Sequence, residues 1–171
     1  MTAADLVQVR AARTCDVTAI RRLVDVYAPQ KILLNKPTVK LYEDVQEFLV
    51  AESATGEVVG CGALHVMWED LAEVRTLAVD PSMRGTGAGH ELLERLLERA
   101  RALGVRRVFC LTFEVDFFVK HGFHELDGSP VEADVFDELL RSYDEGVAEF
   151  LDLERVKPNT LGNTRMLVRL S

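Results

Sequence analysis

The chain has 171 residues, 48% hydrophobic and 28% charged, which is long enough for one domain with its own core and too short for two comfortable ones. A formal net charge of −8 without a basic tail excludes the electrostatic footprint of a nucleic-acid or anionic-membrane binder. Between Glu132 and Arg155, nine acids face only two bases, Arg141 and Arg155. Any anionic ligand must therefore be held by local basic groups or by backbone N–H donors. Cys15, Cys61 and Cys110 are odd in number, widely spaced and form no C-x-x-C pair, which argues against a disulfide framework or a thiolate metal site. Asp5 comes early, without the basic-then-apolar order of a signal peptide. The longest strongly apolar stretch, Val58 to Trp68, is short of a membrane span and contains His65. A cytoplasmic protein is expected.

Alternation of Val7, Val9 and Ala11 against Gln8 and Arg10 predicts a strand over Leu6 to Ala12. Thr14 or Asp16 can cap the next helix, where Val17, Ile20, Leu23, Val24 and Tyr27 recur at helical spacing until Pro29. Lys31 to Pro37 reads as a loop and Val39 to Val45 as a short helix. Phe48 to Glu52 and Val58 to Val66 read as strands joined across Ser53-Ala54-Thr55-Gly56, with a further strand from Glu73 to Val79. Gly87 to Leu103 is the clearest helix, apolar at Leu92, Leu93, Leu96, Leu97 and Ala100, charged opposite, and stopped by Gly104. Val105 to Thr112 then reads as a buried strand, Phe117 to His121 as a short helix ended by Gly122, and Phe123 as the start of a return strand. Beyond Pro130 the pattern gives a helix over Val131 to Tyr143, an irregular stretch, and a final strand near Met166 to Leu170. This order favours a single mixed α/β domain.

The informative segment is Leu77-Ala78-Val79-Asp80-Pro81-Ser82-Met83-Arg84-Gly85-Thr86-Gly87-Ala88-Gly89. A strand feeds a glycine-rich turn, which feeds the N-terminus of a long amphipathic helix. Glycines let the backbone approach a ligand without a Cβ, and the first helical N–H groups lack internal partners at the positive end of the dipole, so the segment can hold phosphate or pyrophosphate. A bare tight turn is the plain alternative. A dinucleotide fingerprint would need G-x-G-x-x-G after the first strand, and a Walker loop a following Lys; neither is present.

Arg84, Gly87 and Gly89 match [RQ]-x-x-G-x-[GA], the acetyl-CoA signature of the GNAT superfamily. Phe117-Phe118-Val119-Lys120-His121-Gly122-Phe123 resembles that family's F-Y-x-x-x-G-F helix. The resemblance implies a twisted mixed sheet with splayed fourth and fifth strands, flanked by helices. It places pantetheine along the backbone of Leu77, Ala78 and Val79, and pyrophosphate on Arg84, Gly85, Thr86, Gly87, Ala88, Gly89 and His90. Acetyl-CoA is the implied co-substrate, with no metal.

Acetyl transfer to an amine needs the free base, so a proton acceptor within reach or one water away helps. Glu73 occupies the strand entering the loop, where the resemblance implies a catalytic glutamate; a structural partner of Arg75 is the alternative. The family's usual Tyr proton donor falls on Phe118, which cannot donate and is left to line the cofactor site. That directs attention to Thr112 as proton donor to the leaving thiolate, against a plain β-branched strand residue. His65, His121 and His124 are too scattered to suggest a metal face.

Over most of its length the chain is similar to the acetyltransferase domain of bacterial N-acetylglutamate synthases, in a short form without a kinase domain. The shared pieces are Ile32-Leu33-Leu34, Val59-Gly60-Cys61-Gly62-Ala63-Leu64, Glu73 to Val79, Leu111-Thr112, the Phe pair, and Asn163-Thr164-Arg165-Met166-Leu167. This implies acetylation of the α-amine of L-glutamate, the entry step of arginine biosynthesis. The substrate carboxylate needs cations or N–H donors; Lys36, Arg75, Asn163 and Arg165 are the candidates. One family arginine falls on Gly162 or Asn163, which leaves glutamine or another amino acid open. Another small amine, a protein N-terminus, or a non-catalytic acyl-CoA-binding module are the alternatives, and a homodimer is possible.

Overall fold

The computed structural model describes residues 7–30, 36–129, 131–157 and 162–171. Its strands are β1 (Val7–Ala11), β2 (Phe48–Ser53), β3 (Val58–Trp68), β4 (Leu71–Val79), β5 (Arg107–Thr112), β6 (His124–Glu125) and β7 (Thr164–Arg169). Its helices are α1 (Val17–Tyr27), α2 (Thr38–Glu43), α3 (Ala88–Leu103), α4 (Val115–Val119), α5 (Ala133–Leu139) and α6 (Glu145–Phe150). The strands form one mixed sheet in the order β1-β2-β3-β4-β5-β7-β6, in a mixed α/β architecture as expected.

Two compact units divide the chain, the first comprising residues 1–65 and 74–103, the second 66–73 and 104–171. In the first unit, β1, β2 and β3 form an antiparallel ladder, with Val9 opposite Ala51 and Val50 opposite Cys61. The apolar stripe of α1 (Val17, Ile20, Leu23, Val24 and Tyr27) joins Leu41, Phe48, Val50 and Cys61 in one core. Each Val, Ile, Leu or Phe among them contributes roughly 1.5–3 kcal/mol by leaving water. Glycines on β3 let α3 come close: a Cβ on Gly60 would lie 2.9 Å from Leu92 Cδ1, and one on Gly62 would lie 2.9 Å from Leu96 Cδ1. Arg10 holds the other end of this unit. Its Nη1 is 2.8 Å from the buried Asp16 carboxylate, and its Nε is 2.6 Å from Glu52.

In the second unit, β5 runs antiparallel to β7 from Arg107↔Arg169 to Thr112↔Thr164. The parallel ladder of β4 with β5 is short: Leu71↔Arg107, Ala72↔Val108 and Glu73↔Phe109. β4 continues to Val79 and β5 to Thr112 without further register pairs between them. Leu71, Phe109, Phe150 and Leu167 centre the core, with Phe109 and Phe150 edge to face at 5.3 Å.

Several expected boundaries shift. The helix expected over Val131 to Tyr143 ends at Leu139, and the stretch read as irregular contains α6, whose first turn is capped by Asp144 Oδ1 accepting from Val147 N–H at 3.2 Å. β3 extends to Trp68 and β4 begins at Leu71, and Asp70 in the intervening turn accepts from Arg107 Nε of β5 at 3.0 Å. β5 starts at Arg107 rather than Val105, and the short helix over Val115–Val119 lies two residues before its expected place. β7 begins at Thr164, ahead of the apolar run. The expectations for Leu6, Pro130, the loop residues 31–35 and the Ile32-Leu33-Leu34 match fall outside the described residues.

Candidate functional site

In the first unit, β4 delivers the chain to the glycine turn. Asp80 Oδ1 accepts from Ser82 N–H at 3.0 Å and from the Ser82 hydroxyl at 2.7 Å, closing a single 3-10 turn over Pro81–Met83. Arg84 and Gly85 are exposed. Gly85 and Gly87 take φ of +77° and +86°, values at which a side chain would be strained. A Cβ on Gly85 would meet nothing within 4 Å, so conformation rather than space calls for glycine there. The Thr86 hydroxyl donates to Met83 O at 2.6 Å and accepts from Ala88 N–H at 3.4 Å, which makes it a cap for α3. Glu91 N–H to Gly87 O, at 3.0 Å, opens the helical ladder. Ala88 N–H is thus taken by the cap, and the N-terminal turn of α3 from Gly89 onward lies at the positive end of the helix dipole, which favours an anion.

Upstream, Thr76 has φ of +56°, which puts an irregularity in β4 immediately before Leu77, Ala78 and Val79. Cys61 braces it by donating from Sγ to Thr76 O at 3.4 Å. Burial pushes that thiol up to about 12, opposed by the Ala78 backbone and the Lys36 charge. Lys36 thus lies near Cys61 electrostatically, and its carbonyl accepts from Arg21. Arg75 is half-buried on β4, two residues beyond Glu73.

In the second unit, Glu73 is buried, with 4% exposure, at the last β4–β5 register pair. It lies close enough to Cys110 for its charge to add to burial in raising that thiol. Thr112 is buried at the end of β5, and its Oγ1 accepts from Glu114 N–H at 2.8 Å. That bond leaves the hydroxyl hydrogen able to donate elsewhere. Thr112 lies three residues beyond Phe109, the partner of Glu73, or roughly 10 Å along the strand. The two can serve different atoms of a reaction but cannot form a directly bonded dyad. Phe118 is buried edge to face between Phe117 and Phe123, 5.1 Å from each.

Thr112 stands opposite Thr164, and Leu111 opposite Arg165, so the register gathers Thr112, Asn163 and Arg165 at one end of the β5–β7 pair. Arg165 Nη2 donates to Gly128 O at 3.0 Å and also to Phe150 O. Its Nε is buried and has no hydrogen-bond partner among the described residues. Desolvation lowers its pKa, against the opposing charges of Asp152 and Asp127. Sequence reasoning missed the Thr86 cap, the Cys61 brace and the Glu114 amide on Thr112; only the Asp-Pro-Ser turn carried a local signal. No group of three or more His, Cys, Asp or Glu residues that could hold a metal occurs among the described residues, and no described helix is long and apolar enough to cross a membrane.

The Acetyltransferase (GNAT) family is matched over residues 21–124. An amino-acid acetyltransferase of Mycobacterium tuberculosis is 64% identical over 164 residues, covering 95% of this chain and 94% of the relative. The crystal structure of Rv2747 from the same organism, in complex with CoA and NLQ, superposes with a TM-score of 0.93 at 63% identity, covering 96% of this chain and 99% of that one. N-acetylglutamate synthase from Neisseria gonorrhoeae, complexed with coenzyme A and N-acetyl-glutamate, shares the fold with a TM-score of 0.77 at 24% identity, over 96% of this chain and 35% of that one. The glycine turn on the N-terminus of α3, the short β4–β5 ladder and these matches together place the chain in the GNAT acetyltransferase family.

Proposed function

We propose that the protein transfers the acetyl group of acetyl-CoA to the α-amine of L-glutamate or L-glutamine, the entry step of arginine biosynthesis. The near-full-length similarity to an amino-acid acetyltransferase supports an amino-acid acceptor, and the left-handed Gly85 and Gly87 at the start of α3 support the acyl donor. In this reading the segment from Gly85 to His90, at the N-terminus of α3, holds the pyrophosphate, with Arg84 beside it, and Leu77 to Val79 offer backbone to the pantetheine. Phe118 contributes apolar packing there.

Glu73 accepts the amine proton, directly or through one water, so that the nitrogen lone pair can attack the thioester carbonyl. Thr112, its oxygen held by the Glu114 amide, donates toward the departing sulfur. Thiol pKa values near 8.5 mean that this donor contributes less than the base. Lys36, Arg75, Asn163 and Arg165 supply the charge and donors for the acceptor carboxylates, which a protein of net charge −8 would otherwise repel.

A thiol-release assay with acetyl-CoA over a panel of amino acids and their decarboxylated amines tests this reading. Turnover with glutamate or glutamine and none with the decarboxylated analogues is expected. Equal turnover of the amines would point to a broader amine acetyltransferase, and absence of turnover with every acceptor would leave an acyl-CoA-binding module.

A further inference from the structure

The turn into the glycine loop starts from one peptide unit, that between Val79 and Asp80, and both of its polar ends are held. Its carbonyl, on Val79, accepts from the Tyr27 hydroxyl at the end of α1. Its N–H, on Asp80, donates to Val59 O at 2.8 Å. Because the peptide is planar, fixing the two ends fixes the rotation of the plane and the direction in which the chain leaves β4. Asp80 then holds Ser82, and Arg22 stands 3.5 Å from Asp80 Oδ2 while donating to Val58 O at 2.8 Å.

Tyr27 lies at the rim of the apolar core of its unit, with 9% exposure. A buried tyrosine hydroxyl usually finds some acceptor. Here the acceptor is the last carbonyl of the strand that feeds the anion loop, on a peptide whose N–H is also bound. The apolar stripe of α1 would be served equally well by Phe at this position; the hydroxyl adds only the hold on Val79.

We propose that Tyr27 is a positioning residue for the acyl donor: by donating to Val79 O it locks the peptide plane from which the pyrophosphate loop departs, so that the loop amides are aimed before the anion arrives. Preorganisation of this kind raises affinity by removing an ordering cost from binding. The inference rests on the assignment of the glycine loop to acetyl-CoA.

Tyr27→Phe keeps the ring and removes the donor. The dissociation constant for acetyl-CoA by calorimetry, and its KM, should rise about tenfold, the consequence of leaving a buried carbonyl without its partner. At saturating acetyl-CoA, kcat should stay within about twofold, with the amino-acid KM unchanged, as expected when only donor binding is affected. Amide hydrogen exchange from Asp80 to Thr86 in the free protein should accelerate. A Tyr27→Phe protein with a lower melting temperature but unchanged acetyl-CoA affinity and loop exchange would overturn the proposal, since the hydroxyl would then serve stability alone. Gly87→Asp, measured in parallel, separates the two layers. Loss of affinity there with none in Tyr27→Phe removes only the Tyr27 role, whereas retention in both removes the loop assignment itself.

Discussion

Glu73 and Phe109 form the last register pair of the parallel ladder between β4 and β5. The carboxylate is therefore anchored on paired backbone at the point where regular pairing of the two strands stops. For a proton acceptor this gives a fixed position. Glu73→Gln preserves shape and removes the base. A fall in kcat of about 10²–10⁴-fold is expected, largest near neutral pH and partly recovered at alkaline pH as the amine loses its proton unaided. Acetyl-CoA affinity should hardly change. An unaltered pH–rate profile would assign the role to another group or to solvent.

Gly87→Asp sets a carboxylate and a Cβ at a residue with φ of +86°, within the turn assigned to the pyrophosphate. Loss of measurable acetyl-CoA binding is expected while far-UV circular dichroism stays native. Near-native affinity by calorimetry in the folded variant would remove the loop from its assigned role.

Arg75 and Arg165 are the two candidate arginines for the acceptor carboxylates. Arg165 is tied to Gly128 and Phe150 carbonyls, so its replacement should disturb the α6 end of its unit as well as any ligand. Arg75→Gln should raise the amino-acid KM at least about tenfold with acetyl-CoA KM unchanged, if Arg75 is the principal carboxylate partner. Arg165→Gln should combine a KM effect with a lower melting temperature. Unchanged amino-acid KM in both variants would remove the arginines from acceptor recognition.

Asp16 provides a pH test of stability. Hydrogen bonding to the Arg10 guanidinium, with the Arg13 amide in support, holds its pKa below the ordinary carboxylate value in spite of burial. The folded state therefore favours the ionised form. Its contribution is fully present above the unfolded carboxylate pKa of about 3.9 and is lost as pH falls toward and through the depressed folded value. Asp16→Asn should cost on the order of 2 kcal/mol at pH 7, as for a hydrogen bond to a charged group. The difference from the parent should shrink at acid pH in urea melts. A cost independent of pH would show that packing rather than charge sets it.

Legibility followed the strength of local signals. The α3 helix was visible because its stripe, its glycine entry and Gly104 agree, and Gly104 does take φ of +90°. The α6 helix was not, because its sequence, Glu145-Gly146-Val147-Ala148-Glu149-Phe150, is too short to show a period, and its acids suggest a solvated face although Glu149 is buried. The early start of β7 was hidden by the polar Thr164 and Arg165, which join the strand through pairing with Thr112 and Leu111 rather than through an apolar pattern. The glycine loop could be read because φ above zero restricts residue choice. The left-handed Thr76 could not, since a β-branched residue ordinarily argues for an extended strand. The partners of Thr112 and Val79 are likewise products of folding, invisible in residue type alone.

The two bare positions on β3 make the seat of α3 a matter of single methyl groups. A Cβ at Gly60 would meet Leu92 at 2.9 Å and also Ala51 Cβ and Ala78 O at 3.4 Å, and Leu92 is fully buried, so an added methyl displaces the helix or forces its rotamers. The end of α3 that would shift with it carries the proposed anion-binding amides. A saturation-mutagenesis map scored by growth at limiting acetyl-CoA should thus show sensitivity at Gly60 and Gly62 resembling that of ligand contacts. Raising the supply of the donor should suppress it for the mildest replacements, which distinguishes a displaced helix from a collapsed core.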